Sequence, residues 1–106
     1  MRVWRVIIAA CLFCALGVGV PRAQPAYPAH PVTLVVPYEA GGLTDLLARQ
    51  FAEALSEDLG VRVAVQNRAG AGGLIGATAV AAARPDGYTL LVMSNAVLYA
   101  AAAAPG

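Results

Sequence analysis

Three short apolar runs, VTLVV (residues 32–36), VRVAVQ (61–66) and TLLVM (89–93), are separated by segments with helical spacing. That alternation leaves little choice of architecture. A strand, a helix and a second strand in succession imply a crossover, and such crossovers are right-handed and join parallel strands. VTLVV is apolar at nearly every position instead of alternating, as expected of a strand covered on both faces. The chain therefore reads as an α/β fold, a parallel sheet with flanking helices, with the third strand beside the first.

The joints support that reading. Thr44 is placed to cap the first helix, with Asp45 in its first turn, where a negative charge suits the helix dipole. Leu47, Phe51, Leu55 and Leu59 recur every four residues as an apolar stripe, and Arg49, Gln50, Glu53, Glu57 and Asp58 lie off it. Gly60 ends the helix as a left-handed cap. Residues 67–73 form a glycine-rich loop, and residues 74–83 a helix of small side chains suited to close packing on a sheet. Pro85-Asp86-Gly87 is a turn, and Ser94-Asn95 caps a last helix over residues 96–104.

The first 23 residues read as something other than fold. MRVWR is basic, residues 6–20 are uncharged and apolar, and PRAQPA brings small residues, the pattern of a secretory signal peptide cut after Ala23. At 15 residues the apolar run is short for a membrane anchor, which needs roughly 20. Ile8-Ala9-Ala10-Cys11 has the look of a lipid-attachment box, but the apolar run continues past it. Cleavage removes Cys11 and Cys14, so the exported part, residues 24–106, has no disulfide and no thiol chemistry. The expected location is the periplasm.

What remains excludes several functions. Residues 24–106 carry four arginines (Arg49, Arg62, Arg68, Arg84) against six acids (Glu39, Asp45, Glu53, Glu57, Asp58, Asp86), a formal net of −2. With no lysine and no basic cluster, binding to nucleic acid is not expected. Gly70, Gly72, Gly73 and Gly76 do not make a dinucleotide fingerprint, because Ile75 stands at its last glycine position. A Walker loop needs a Gly-Lys pair that the chain lacks. Close packing explains most of these glycines. His30, the single histidine, has no neighbour to orient it, and Ser56 and Ser94 have no evident base. No metal cluster is spelled out, so no cofactor, metal or enzymatic activity is expected.

Gly41-Gly42 stands apart. It lies at the carboxyl end of the first strand, where open α/β sheets bind ligands, directly before a helix N-terminus. Glycine there lets backbone N–H groups point at an anion such as a carboxylate, with the helix dipole behind them. A tight strand-to-helix turn that needs glycine for geometry alone fits the local sequence equally well.

Beyond single residues, four ordered blocks carry a resemblance. They are a YPxxP lead-in (Tyr27, Pro28, Pro31), a P-aromatic-x-x-GG-x-TD-x-x-AR block (Pro37, Tyr38, Gly41, Gly42, Thr44, Asp45, Ala48, Arg49), NRxGAGGxIGA (residues 67–77) and PDGYTLL (85–91). From Tyr27 to about Ala100 the chain resembles the extracytoplasmic solute-binding receptors of tripartite tricarboxylate transporters, the Bug family. The resemblance implies part of one lobe of a periplasmic type II binding-protein fold. Such a receptor acts as a monomer, captures a small organic carboxylate and passes it to membrane permease subunits. It also implies that the loop after the first strand holds the ligand, here Tyr38, Glu39, Ala40, Gly41, Gly42, Thr44 and Asp45, with Ser94 and Asn95 facing the same cleft. Glu39 and Ala40 depart from the family pattern, which often has an uncharged residue and a proline there. A carboxylate at position 39 facing the cleft repels an anion and suits a cationic group. The family needs two lobes and the chain stops within the first, so the alternative is a truncated product with no binding of its own.

Overall fold

The central strand, β1 (Val32–Val36), is flanked on one side by β2 (Val63–Asn67) and on the other by β3 (Thr89–Leu91), all parallel, in the order β2-β1-β3. The third strand does lie beside the first. The computed structural model describes residues 26–105 together with Val3, Trp4 and Gly19. The signal-peptide reading of residues 1–23, with Cys11 and Cys14, otherwise lies outside the described residues.

β1 sits in the middle because it can be covered on both faces. Val32, Leu34 and Val36 turn to one side with Val63, where α1 (Leu43–Leu59) supplies Ala48 and Ala52. Thr33, Val35 and Thr89 turn to the other side, where they line a concavity with Ala79 of α2 (Leu74–Ala81). The first crossover steps from β1 to β2 and the second steps back past β1 to β3, so right-handed connections send their helices to opposite faces.

The strands begin and end differently from the sequence expectation. β2 starts at Val63 instead of residue 61, because Val32 pairs with Val63 in register and its N–H bonds the carbonyl of Arg62 at 2.9 Å. β3 ends at Leu91 instead of residue 93. Val92 still donates to the carbonyl of Val35 at 3.0 Å, after which the chain turns toward Tyr38. α2 stops at Ala81 and the last helix, α3 (Ala96–Ala103), at Ala103. Gly60 caps α1 in the left-handed conformation, as its sequence position suggests.

The apolar stripe needs correction. Leu55 and Leu59 pack against the core, but Leu47 and Phe51 are 56% and 52% exposed, beside exposed Leu43 and Leu46. Four residues overshoot one helical turn by about 40°. A strict i, i+4 row therefore winds around the helix, inward at its end and outward at its start. The inward face at the start is instead Asp45, Ala48 and Ala52, whose short side chains bring the helix close to β1 and β2.

On the opposite face, α2 approaches more closely still. A Cβ on Gly76 would stand 2.7 Å from Pro37 Cβ, 2.8 Å from Pro37 Cα and 2.9 Å from the carbonyl oxygen of Arg68. Close packing is thus the reason for this glycine, as expected. At the amino ends of the strands, His30 stacks on Tyr88 with ring centroids 3.6 Å apart, and Tyr27 meets Tyr88 edge-on at 5.0 Å. That aromatic group fastens the lead-in to the sheet and gives His30 a structural place. Among the described residues, no helix is long and apolar enough to cross a membrane.

Gly76→Ala pushes a methyl group into backbone and a proline ring that cannot swing aside. It is expected to cost about 1–3 kcal/mol in urea denaturation. Phe51→Ala, on an exposed face, is expected to cost clearly less than a core phenylalanine, for which about 3–5 kcal/mol is typical.

Candidate functional site

The carboxyl ends of all three strands are tied together by side chains. After β1 the chain makes a short loop, Pro37 to Gly42, before α1 begins at Leu43. Tyr38 leans from this loop across the sheet, and its Oη lies 2.7 Å from Ser94 Oγ and accepts the Ser94 backbone N–H at 3.2 Å. Loop β1–α1 is thereby joined to the loop after β3. On the other side, Asn67 at the end of β2 donates from Nδ2 to the carbonyl oxygen of Tyr38 at 3.2 Å and to Asp45 Oδ1 at 2.8 Å.

Asp45 is the centre of this arrangement. It is only 2% exposed. Its second oxygen, Oδ2, accepts the Gly41 backbone N–H at 2.9 Å and Arg49 Nε at 3.0 Å. Arg49 closes the ring by donating from its terminal nitrogen to Asn67 Oδ1 at 3.1 Å. Gly41 has φ +90°, a left-handed conformation that a side chain would strain, and nothing lies within 4 Å of where its Cβ would be. Conformation, and not crowding, is why glycine stands there.

The helix cap is therefore not the one expected. Gly42 occupies the capping position, its carbonyl accepts the Leu46 N–H at 3.0 Å, and no side chain caps the end. Thr44 is inside the helix, half-buried. With Asp45 reaching back to Gly41, the N–H groups of Gly42, Leu43, Thr44 and Asp45 are the helix-start donors that have no carbonyl one turn earlier. Asn95 likewise occupies the capping position of α3 without a side-chain bond. Ser94 does that work instead, its carbonyl taking the Val97 N–H at 3.3 Å and its hydroxyl the Ala96 N–H at 3.4 Å.

Of the nine residues picked from the sequence, the structure brings Tyr38 and Ser94 into direct contact. It places Glu39, Ala40, Gly41 and Gly42 on the exposed loop beside them. Asp45 and the Gly41 N–H are already committed to each other, so their part is to shape the loop. Asn95 is exposed. Asn67 and Arg49 were missed as site residues. Arg49 reads as wet helix surface and Asn67 as the start of a loop, yet Asp45 and Arg49 are four apart and face one another on a helix. That spacing was the available signal.

The Asp45 carboxyl is lowered from 3.8 to about 2, first by the Arg49 hydrogen bond, then by Asn67 and the Gly41 N–H. Hydrogen bonds to the ionised form favour it over the protonated acid.

The profile of the tripartite tricarboxylate transporter family receptor matches residues 47–104, more than half of the chain. The chain belongs to that family. BugT of Bordetella pertussis is 45% identical over 96 residues, 90% of this chain and 29% of BugT. A UPF0065 protein of Agrobacterium vitis is 46% identical over 98 residues, 92% of this chain and 28% of that protein. This family member thus spans less than a third of the length of these relatives.

Among solved structures, the periplasmic binding protein BugD superposes with a TM-score of 0.60 at 55% identity, over 61% of this chain and 22% of BugD. The R. palustris protein Rpa4515, solved with adipate, gives 0.60 at 48% identity over 61% and 22%. MatC of Rhodopseudomonas palustris, solved with bound malate, gives 0.60 at 45% identity over the same shares. The parallel sheet with flanking helices is thus part of a periplasmic binding-protein fold.

Because folding lowers the Asp45 pKa, its contribution to stability is complete above about pH 4 and fades as pH falls toward about 2. Unfolding free energies measured across that window are expected to drop more steeply for the native chain than for Asp45→Asn, which has no carboxylate to titrate.

Proposed function

We propose that the chain is the amino-terminal part of a periplasmic receptor that captures a small organic carboxylate for a tripartite tricarboxylate transporter. Export by a signal peptide over residues 1–23, a monomeric state and delivery to membrane permease subunits belong to the same reading. It is a binding function without catalysis, cofactor, metal or nucleic acid.

One observation carries it: a helix start with free backbone donors, at the carboxyl edge of a parallel sheet, behind a glycine pair. A carboxylate seated there accepts hydrogen bonds from Gly42 and the residues after it, and its charge meets the positive end of the α1 dipole. Tyr38, Ser94 and Asn95 stand at the adjoining edge, and Ala40 and Thr44 complete the loop. Relatives of the same family and fold hold diacids, malate in one and adipate in another. Both have carboxylates at their ends, so a site for one carboxylate on this lobe fits that ligand class.

Glu39 sets the finer choice. It is exposed on the loop, within three residues of the glycine pair, and carries no ion pair among the described residues. A ligand with an amino group near its carboxylate offers Glu39 a partner, whereas a plain diacid does not.

Thermal unfolding of the receptor in the presence of diacids, amino acids, amines and sugars tests the reading. A carboxylate at one hundred times its Kd is expected to stabilise by about 2.7 kcal/mol. Stabilisation by an uncharged sugar or a simple amine, with none by any acid, contradicts it. Glu39→Gln is expected to improve the response to plain diacids and to weaken any response to amino acids.

A further inference from the structure

A buried acid next to a proposed anion site is a puzzle. An unpaired carboxylate within one helical turn of the ligand would repel it, and water screens little at a position that is 2% exposed. The hydrogen bonds supply the answer. Arg49 lies 3.0 Å from Asp45 Oδ2 and cancels its charge locally. The carboxylate then serves as a three-way acceptor, for the Gly41 N–H, Asn67 Nδ2 and Arg49 Nε. Asparagine offers one acceptor oxygen, so its amide group would face the donors on one side, either Asn67 Nδ2 or the Gly41 N–H with Arg49 Nε.

We propose that Asp45 is a positioning residue that holds the Gly41–Gly42 turn in the one shape that leaves the N–H groups of Gly42, Leu43 and Thr44 free for a carboxylate. It makes no contact with the ligand itself. By taking the Gly41 N–H inward, it fixes the left-handed φ of Gly41 and delivers Gly42 to the helix start in an extended conformation, φ −75° and ψ 175°. Asn67 gives the clamp a second grip on the loop through the Tyr38 carbonyl. Donors held in place before the ligand arrives spare the entropy of ordering them on binding. The inference rests on the carboxylate reading of the loop and deepens it.

The test separates positioning from plain structural support. Ser56 makes a comparable pair of bonds at the far end of α1, its Oγ donating to the Ala52 carbonyl at 2.7 Å and accepting the Val63 N–H at 2.9 Å. Asp45→Asn and Ser56→Ala are compared for stability by urea denaturation and for succinate and adipate affinity by calorimetry. Amide exchange at Gly41 is followed by NMR in both. Both variants are expected to lose stability. Only Asp45→Asn is expected to lose affinity, roughly tenfold or more, and protection of the Gly41 amide. Unchanged affinity in Asp45→Asn, or an equal loss in Ser56→Ala, overturns the positioning role while leaving the ligand reading intact. No response of the unaltered receptor to these diacids or to any amino acid overturns the ligand reading. In that event the Gly41 amide decides what Asp45 does, since exchange equally fast with and without the carboxylate sinks the clamp as well.

Discussion

The carboxylate of Asp45 links three pieces of chain that the sheet alone would leave independent. β-Ladder hydrogen bonds fix the strands against one another, but they end at Val36, Arg68 and Val92. Beyond those points the loops depend on side chains. From Ser94 through Tyr38 to Asn67, and from Asn67 to Asp45 and Arg49, an unbroken series of polar contacts runs across the carboxyl edge. Its buried side-chain donors and acceptors are all paired, so burying them carries no orphan penalty.

Packing on the two faces makes this edge rigid. Ala48 and Ala52 let α1 sit close over β1 and β2, and Gly76 lets α2 sit against Pro37, the first residue of the loop. Gly73, just before α2, has no room either, with a Cβ there 2.5 Å from Val97 Cγ2 and 3.2 Å from Tyr38 Cε1. Small residues on the helices and a rigid loop between them are two sides of one design. The close approach that excludes side chains is what immobilises Pro37 and Tyr38.

Much of this was legible in the sequence. The alternation of β-branched runs with helical spacing gave three parallel strands and the position of the third, because crossover handedness permits few alternatives. The family blocks singled out the loop after β1, which lies at the carboxyl edge of the sheet. The sequence was less clear wherever tertiary contact overruled local preference. Thr44 is a good capping residue, yet the cap fell to Gly42 because Asp45 engages Gly41 from inside the helix. Leu47 and Phe51 look like core by spacing, but the inward face was claimed by Asp45 and two alanines. Arg49 and Asn67 escaped notice because their role exists only when the end of β2 is brought next to α1, eighteen residues apart in the chain.

The central claim is that the start of α1 receives a carboxylate through backbone donors held by this polar network. A crystal structure of the receptor with a bound diacid addresses it most directly. The account predicts a ligand carboxylate oxygen at hydrogen-bond distance, about 2.7–3.2 Å, from the N–H groups of Gly42 to Thr44, directly or through one ordered water. The Asp45 carboxylate should still bond Gly41 in that complex. A diacid bound with both carboxylates away from this loop, or with Asp45 released from Gly41 to meet the ligand, contradicts it.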